Sequence, residues 1–297
     1  MFNRNFKKVA LVAIAVFALA LAGCASDGGN GGEAGSLGDQ LNYTITGIDA
    51  GAGVVRSAEQ AVEDYGLPYT VQTSSGAAMT QALGDAIANE EPIIVTGWNP
   101  HWKFAAYDLK YLDDPKGSFG EAEDIHSIAR MGLSEDMPEA YQILDNFYWE
   151  GSDMEDVMIE VNDGAEPADV ARQWVDDNQD KVAEWTEGVD PVDGVEINLA
   201  YVAWDSEIAS TNVIGTVLSD MGYDVTLTQV ENGPMWEAVA SGQTDAIVAA
   251  WLPGTHGDHY DNYEGEFDDL GANLEGARIG LVVPAYLDIN SIEDLVE

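Results

Sequence analysis

Apolar and polar positions along this chain follow two periods in turn, and each half of the chain repeats the same order of segments. Residues 43–48 (Tyr-Thr-Ile-Thr-Gly-Ile) and 196–202 (Glu-Ile-Asn-Leu-Ala-Tyr-Val) alternate as strands do. Each leads through small residues into a helix-like segment, 54–65 and 209–221, with Gly66 and Gly222 as stops. Strands are next expected at 69–73 and 225–229, then short helices carrying Met79 and Met235. Two β-branched apolar runs follow, from Pro92 to Trp98 and from Ala246 to Trp251, each with a proline two residues after its tryptophan and a histidine beyond. A third echo, Arg130-Met131-Gly132-Leu133 and Arg278-Ile279-Gly280-Leu281, closes each half. Amphipathic helices are expected between the halves, at 137–148 and 167–185. Duplicated strand–helix–strand order predicts an α/β molecule of two lobes, each a mainly parallel sheet flanked by helices.

The periodic part begins near residue 42. Ahead of it, Arg4, Lys7 and Lys8 precede an apolar run over 9–22, which ends in Leu21-Ala22-Gly23-Cys24. Residues 1–23 therefore read as a secretory signal peptide, the run being shorter than the roughly 20 residues a membrane span needs. Its end resembles a bacterial lipobox, which makes Cys24 the lipidation site. Residues 24–41 are then a lipidated cysteine and a flexible Gly/Ser/Asp-rich tether, and the folded body is extracytoplasmic, anchored to the cell membrane. The rest divides into a first lobe, 42–128 plus 284–297, and a second lobe, 134–277. Residues 129–133 and 278–283 are expected to connect them as hinges. Cys24 is the sole cysteine, so an intrachain disulfide is excluded.

The balance of 54 acidic to 11 basic residues gives a formal net charge of −43, which excludes nucleic acid and anionic lipid surfaces as partners. Acids at Asp113-Asp114, Glu121, Glu123-Asp124, Asp176-Asp177 and Asp268-Asp269 read as solvated faces, and the overall charge fits a halophilic host.

Eight tryptophans are many for this length. Trp149, Trp174 and Trp185 belong to the helical stretch and are expected in the core, while Trp102 and Trp236 are open between core and cleft. Trp98, Trp204 and Trp251 fall just past strand ends, the edge at which open α/β sheets bind ligands. Three indoles there form a box for a quaternary ammonium group, which donates no strong hydrogen bond and is attracted by about 0.5–2 kcal/mol per ring face. The glycine-rich turn Gly47–Val54 lacks the GxGxxG spacing of a dinucleotide loop. It instead offers free backbone N–H groups at a helix start, suited to a carboxylate. His256, Asp258 and His259 leave a metal-capturing lipoprotein as a weaker alternative, without a third histidine to support it. No Gly-x-Ser-x-Gly elbow and no free thiol nucleophile occur, so neither enzyme activity nor a cofactor is expected. His101, the counterpart of His256, has no role that the sequence assigns.

Four stretches carry a family resemblance: Pro-Ile-Ile-Val-Thr-Gly-Trp-Asn-Pro-His-Trp (92–102), Tyr-Asp-Leu-Lys-Tyr-Leu-Asp-Asp-Pro-Lys (107–116), residues 200–215, and Ala-Trp-Leu-Pro-Gly-Thr-His (250–256). With them the chain, over 41–297, resembles the glycine betaine-binding lipoproteins of OpuA-type ABC importers. The resemblance implies a two-lobed type II periplasmic-binding-protein-like fold with its ligand in the cleft between the lobes. It implies a prism of Trp98, Trp204 and Trp251 around the trimethylammonium group, and a carboxylate held by the backbone of Gly53 and Val54 and by His256. It also implies a membrane permease and an ATPase as partners, in osmoprotectant uptake. Choline, carnitine, proline betaine and dimethylsulfoniopropionate are the rival ligands of the same fold, choline being disfavoured because it lacks a carboxylate.

Overall fold

A computed structural model describes residues 36–296; the signal peptide, Cys24 and most of the tether lie outside them. Nine strands occur among the described residues: β1 (Thr44–Thr46), β2 (Thr70–Gln72), β3 (Val95–Asn99), β4 (Leu109–Tyr111), β5 (Glu123–Arg130), β6 (Val195–Tyr201), β7 (Tyr223–Gln229), β8 (Ala246–Leu252) and β9 (Phe267–Pro284). They pair in the order β2-β1-β3-β9-β5-β8-β6-β7, with β4 beside β9.

The two halves of the sequence build two equivalent sheets. In the first, β1 pairs in parallel with β2 and β3; in the second, β6 pairs in parallel with β7 and β8. Every residue of β8 is buried, as its continuous apolar run requires of a strand covered on both faces. Each parallel set then receives one antiparallel strand. The second half of β9 joins β3, with Trp98 opposite Ile279, and β5 joins β8, with Ile125 opposite Trp251. The closing strands are thus exchanged: β5 precedes the second half in sequence yet completes its sheet, and β9 returns to complete the first. This is the two-lobed type II arrangement.

Strand pairing fixes where the chain changes lobes. It leaves the first between β4 and β5, and returns within β9, where residues up to Ala277 pair with β5 and those from Arg278 pair with β3. Residues 129–133, expected as a connection, instead finish β5 and the turn after it, inside the second lobe. The return falls at the start of the expected 278–283 segment. Gly276, at a φ of 77°, bends β9 just before the change of partner.

Helices form where sequence signals start and stop them. The helix Gly53–Tyr65 ends on Gly66 in the left-handed conformation. Ser75 caps Gly76–Ala88 by accepting the N–H of Ala78, and Pro138 and Pro167 occupy first helical turns. The long helix expected at 167–185 is two, Pro167–Asp177 and Gln179–Trp185. Asn178 breaks it: its backbone leaves the helical region at a φ of −118° and ψ of 38°, and its side chain and its N–H both donate to the carbonyl of Trp174. Trp149, Trp174 and Trp185 are buried together, with Trp174 and Trp185 stacked at 5.7 Å. Trp102 and Trp236 are buried as well.

Candidate functional site

The carboxyl ends of β3 and β8 face each other across the cleft. Trp98 lies one residue before the end of β3 and Trp251 one before the end of β8. Trp204 is the N-cap residue of the helix Asp205–Asp220 that follows β6. All three indoles are buried and all three line one cavity, with about 320 Å³ of space that includes its opening to solvent. The remaining wall is Ile48, Ala52, Gly53, Val54, Ser206, Thr255 and Ile279. Among the described residues no ionisable side chain lines it, in a chain that carries 54 acidic residues. A cation held there is stabilised by ring faces rather than by an ion pair.

Gly53 and Val54 open the helix Gly53–Tyr65, and no side chain caps that end. Their N–H groups precede the first possible intrahelical bond, so both remain free to donate, at the positive end of the helix dipole. Gly53 also permits a close approach between the lobes. A methyl on its Cα would stand 2.5 Å from the carbonyl oxygen of Thr255 and 2.7 Å from its Cα. Only a residue without a side chain fits there.

His256 follows Thr255 and does not itself line the open space. Its ring is fully buried, parallel to Trp204 with centroids 6.1 Å apart. Its Nδ1 accepts the N–H of Trp251 at 3.0 Å, which leaves the proton of the neutral ring on Nε2. Burial, then the nearby His259 and Arg56, pushes its pKa down to about 3. Nε2 is buried with no partner among the described residues. A buried donor without an acceptor costs about 1–3 kcal/mol, so this N–H favours a ligand that brings one.

The cleft is bridged by contacts that no periodic signal marks. The indole N–H of Trp204 donates to Asp49 at 3.1 Å, which fixes the ring of one lobe on a carboxylate of the other. Arg56 donates to the carbonyls of Gly51 and Thr255, both at 3.0 Å. Asn232 also donates to Gly51. Glu123, expected on a solvated face, is buried. Its carboxylate accepts the N–H groups of Gly254 and Thr255 and the hydroxyl of Thr255 at 2.6 Å, so it shapes the loop that delivers Thr255 and His256. The clue in the sequence was weak: one acid among many, at the start of a strand that sequence periodicity did not reveal.

Lys103 lies behind Trp98. It is fully buried. Its Nζ donates to the Trp98 carbonyl at 3.3 Å and stands 4.1 Å from the centre of that ring. Burial holds the amine well below the ordinary lysine range.

His256, Asp258 and His259 do not converge. Asp258 is exposed and faces Arg56 at 3.8 Å, while His259 stacks on Trp236. Among the described residues no three His, Cys, Asp or Glu side chains are placed to hold a metal ion.

Comparison with known proteins places these features in context. Residues 27–177 and 195–297 match the model of a family described as the substrate binding domain of ABC-type glycine betaine transport systems. The glycine betaine/carnitine transport binding protein GbuC of Listeria monocytogenes is 57% identical over 263 residues, covering 87% of this chain and 88% of its own. Among solved structures, lactococcal OpuAC in its closed form with glycine betaine is 44% identical over 50% of this chain, with a TM-score of 0.47. The glycine betaine/L-proline-binding protein ProX of Borrelia burgdorferi is 36% identical over 52%, with a TM-score of 0.48. The matched part spans 59% of each of those two chains.

Proposed function

This chain belongs to the family of substrate-binding domains of ABC-type glycine betaine transport systems, and from that premise we propose that it captures glycine betaine in an aromatic cage formed by both lobes. Its place is extracytoplasmic, as the family's role in import requires, and no helix among the described residues is long and apolar enough to cross a membrane. Lipidation at Cys24 would hold it to the cell membrane beside the permease and ATPase to which it delivers the ligand.

The observation that carries this reading is the convergence of Trp98, Trp204 and Trp251 on a cavity without an ionised wall. A trimethylammonium group fits such a site because it cannot use a carboxylate as an acceptor, and its methyl groups pack on indole faces. The ligand's own carboxylate then meets the N–H groups of Gly53 and Val54, beside the point where Thr255 of the other lobe packs on Gly53. The unpartnered Nε2–H of His256, on the residue that follows the lining Thr255, supports the same assignment. Carnitine and other betaines share both chemical ends; choline lacks the carboxylate.

Titration calorimetry tests the cage. Trp98→Ala, Trp204→Ala and Trp251→Ala are each expected to weaken glycine betaine binding at least about tenfold, the scale of one desolvated ring contact, while the protein stays folded. Choline is expected to bind weakly to the wild type. Unchanged affinity in all three variants would rule the cage out.

A further inference from the structure

His101 is the residue to which neither the sequence nor the ligand site gives a task. It sits in the loop after β3, three residues past Trp98, and its side chain is wholly buried. Its Nδ1 accepts the N–H of Lys103 at 3.1 Å, which leaves the ring proton on Nε2. That nitrogen lies 3.2 Å from the Oδ2 of Asp205, close but without the alignment of a formed hydrogen bond. Asp205 belongs to the other lobe. It is the first residue of the helix Asp205–Asp220, bonded directly to Trp204. The opposite side of the His101 ring meets Trp98 edge-on, with centroids 4.6 Å apart.

The two Trp-to-His loops therefore share one device and apply it differently. In each, a backbone N–H fixes the histidine tautomer through Nδ1. In the second lobe the remaining N–H lacks a protein partner; in the first it reaches across the cleft.

We propose that His101 and Asp205 form a latch that holds the lobes closed over the ligand, tying the Trp98 wall to the helix that carries the Trp204 wall. Neither side chain touches the ligand; both are positioning residues. The contact exists only when the lobes are together, so it stabilises the closed form selectively and slows release more than it alters capture. Full closure on the ligand straightens it into a hydrogen bond to a charged acceptor. The inference rests on the reading that the ligand is enclosed between the lobes.

The test combines stopped-flow release of glycine betaine with energy transfer between dyes on the two lobes of the full chain. The dyes are attached through Met131→Cys and Tyr286→Cys, both at exposed positions, in a Cys24→Ala background. His101→Ala and Asp205→Ala are each expected to speed release about tenfold, the scale of one hydrogen bond to a charged group, with association little changed. Both should move the dyes toward the open separation. The double variant should be no worse than either single one. Asp205→Asn keeps an acceptor oxygen and should stay closer to the wild type than Asp205→Ala. Because Asp205 is partly exposed, its variants retain a readout if His101→Ala fails to fold, as followed by circular dichroism. Wild-type release and dye separation in both alanine variants, or strictly additive effects in the double variant, would overturn the latch. A wild type that ignores glycine betaine while His101→Ala still opens the lobes would overturn the ligand reading and leave the latch standing.

Discussion

Two neutral imidazoles behind the tryptophan walls define the chemistry at the scale of single residues. Burial is the first cause in both, pushing His256 to about 3 and His101 to about 4. An unfolded histidine titrates near 6.5, so below that pH the unfolded chain binds protons that the folded chain refuses. The stability these two groups contribute is complete above pH 6.5. It is lost as the pH falls, through about 4 for His101 and about 3 for His256. Nuclear magnetic resonance of the ligand-free protein at about pH 5 should show both rings neutral, each protonated only on Nε2. A midpoint near 6 at either ring would contradict the burial that makes them fixed donors. The same scale explains Trp204, whose N–H is committed to Asp49. Its ring face is thereby turned to the cavity, and its polar edge is satisfied away from it.

Among the elements, the helix Gly53–Tyr65 does two things with its first residue: it offers a free N–H, and it lets the second lobe approach. Gly53→Ala suits the helix, since alanine is the better helix former. It nevertheless places a methyl where Thr255 stands. The expected outcome is a melting temperature close to the wild type without ligand, and glycine betaine affinity reduced at least about tenfold, because overpacking of this kind costs about 1–3 kcal/mol. Calorimetry beside thermal denaturation checks both; undiminished affinity would mean that the lobes do not close at this contact. These elements also mark what a sequence can reveal. The apolar run of β8 and the glycine stop at Gly66 are local signals, so the strand and the helix were legible, as were the three tryptophans at strand ends. The partners of β5 and β9 were not, because exchange between sheets depends on pairing across more than a hundred residues. That is why residues 129–133 read as a hinge and are the end of a second-lobe strand. Asp49, Glu123 and Asp205 were hidden for another reason. In a chain with 54 acidic residues, only tertiary contact separates a carboxylate engaged by the fold from a solvated one.

For the whole molecule, the proposed recognition is divided between lobes that an exchanged pair of strands connects. In the proposed site Trp98, Gly53 and Val54 come from the first, Trp204, Trp251 and His256 from the second, so an open cleft would hold only part of the cage. A ligand that needs both sides binds the closed form better and shifts the population toward it by that difference in affinity. The excess negative charge of the chain stays off the cavity wall, where it would favour any cation without regard to shape. The central claim is that indole faces hold a positive charge and not merely a volume of that size. It is tested most directly by titrating the protein with glycine betaine and with its uncharged-head isostere, 3,3-dimethylbutanoate, in which carbon replaces the quaternary nitrogen and the carboxylate is kept. Three ring contacts of about 0.5–2 kcal/mol each predict that the isostere binds at least about tenfold more weakly. Equal affinity for the two would contradict the account.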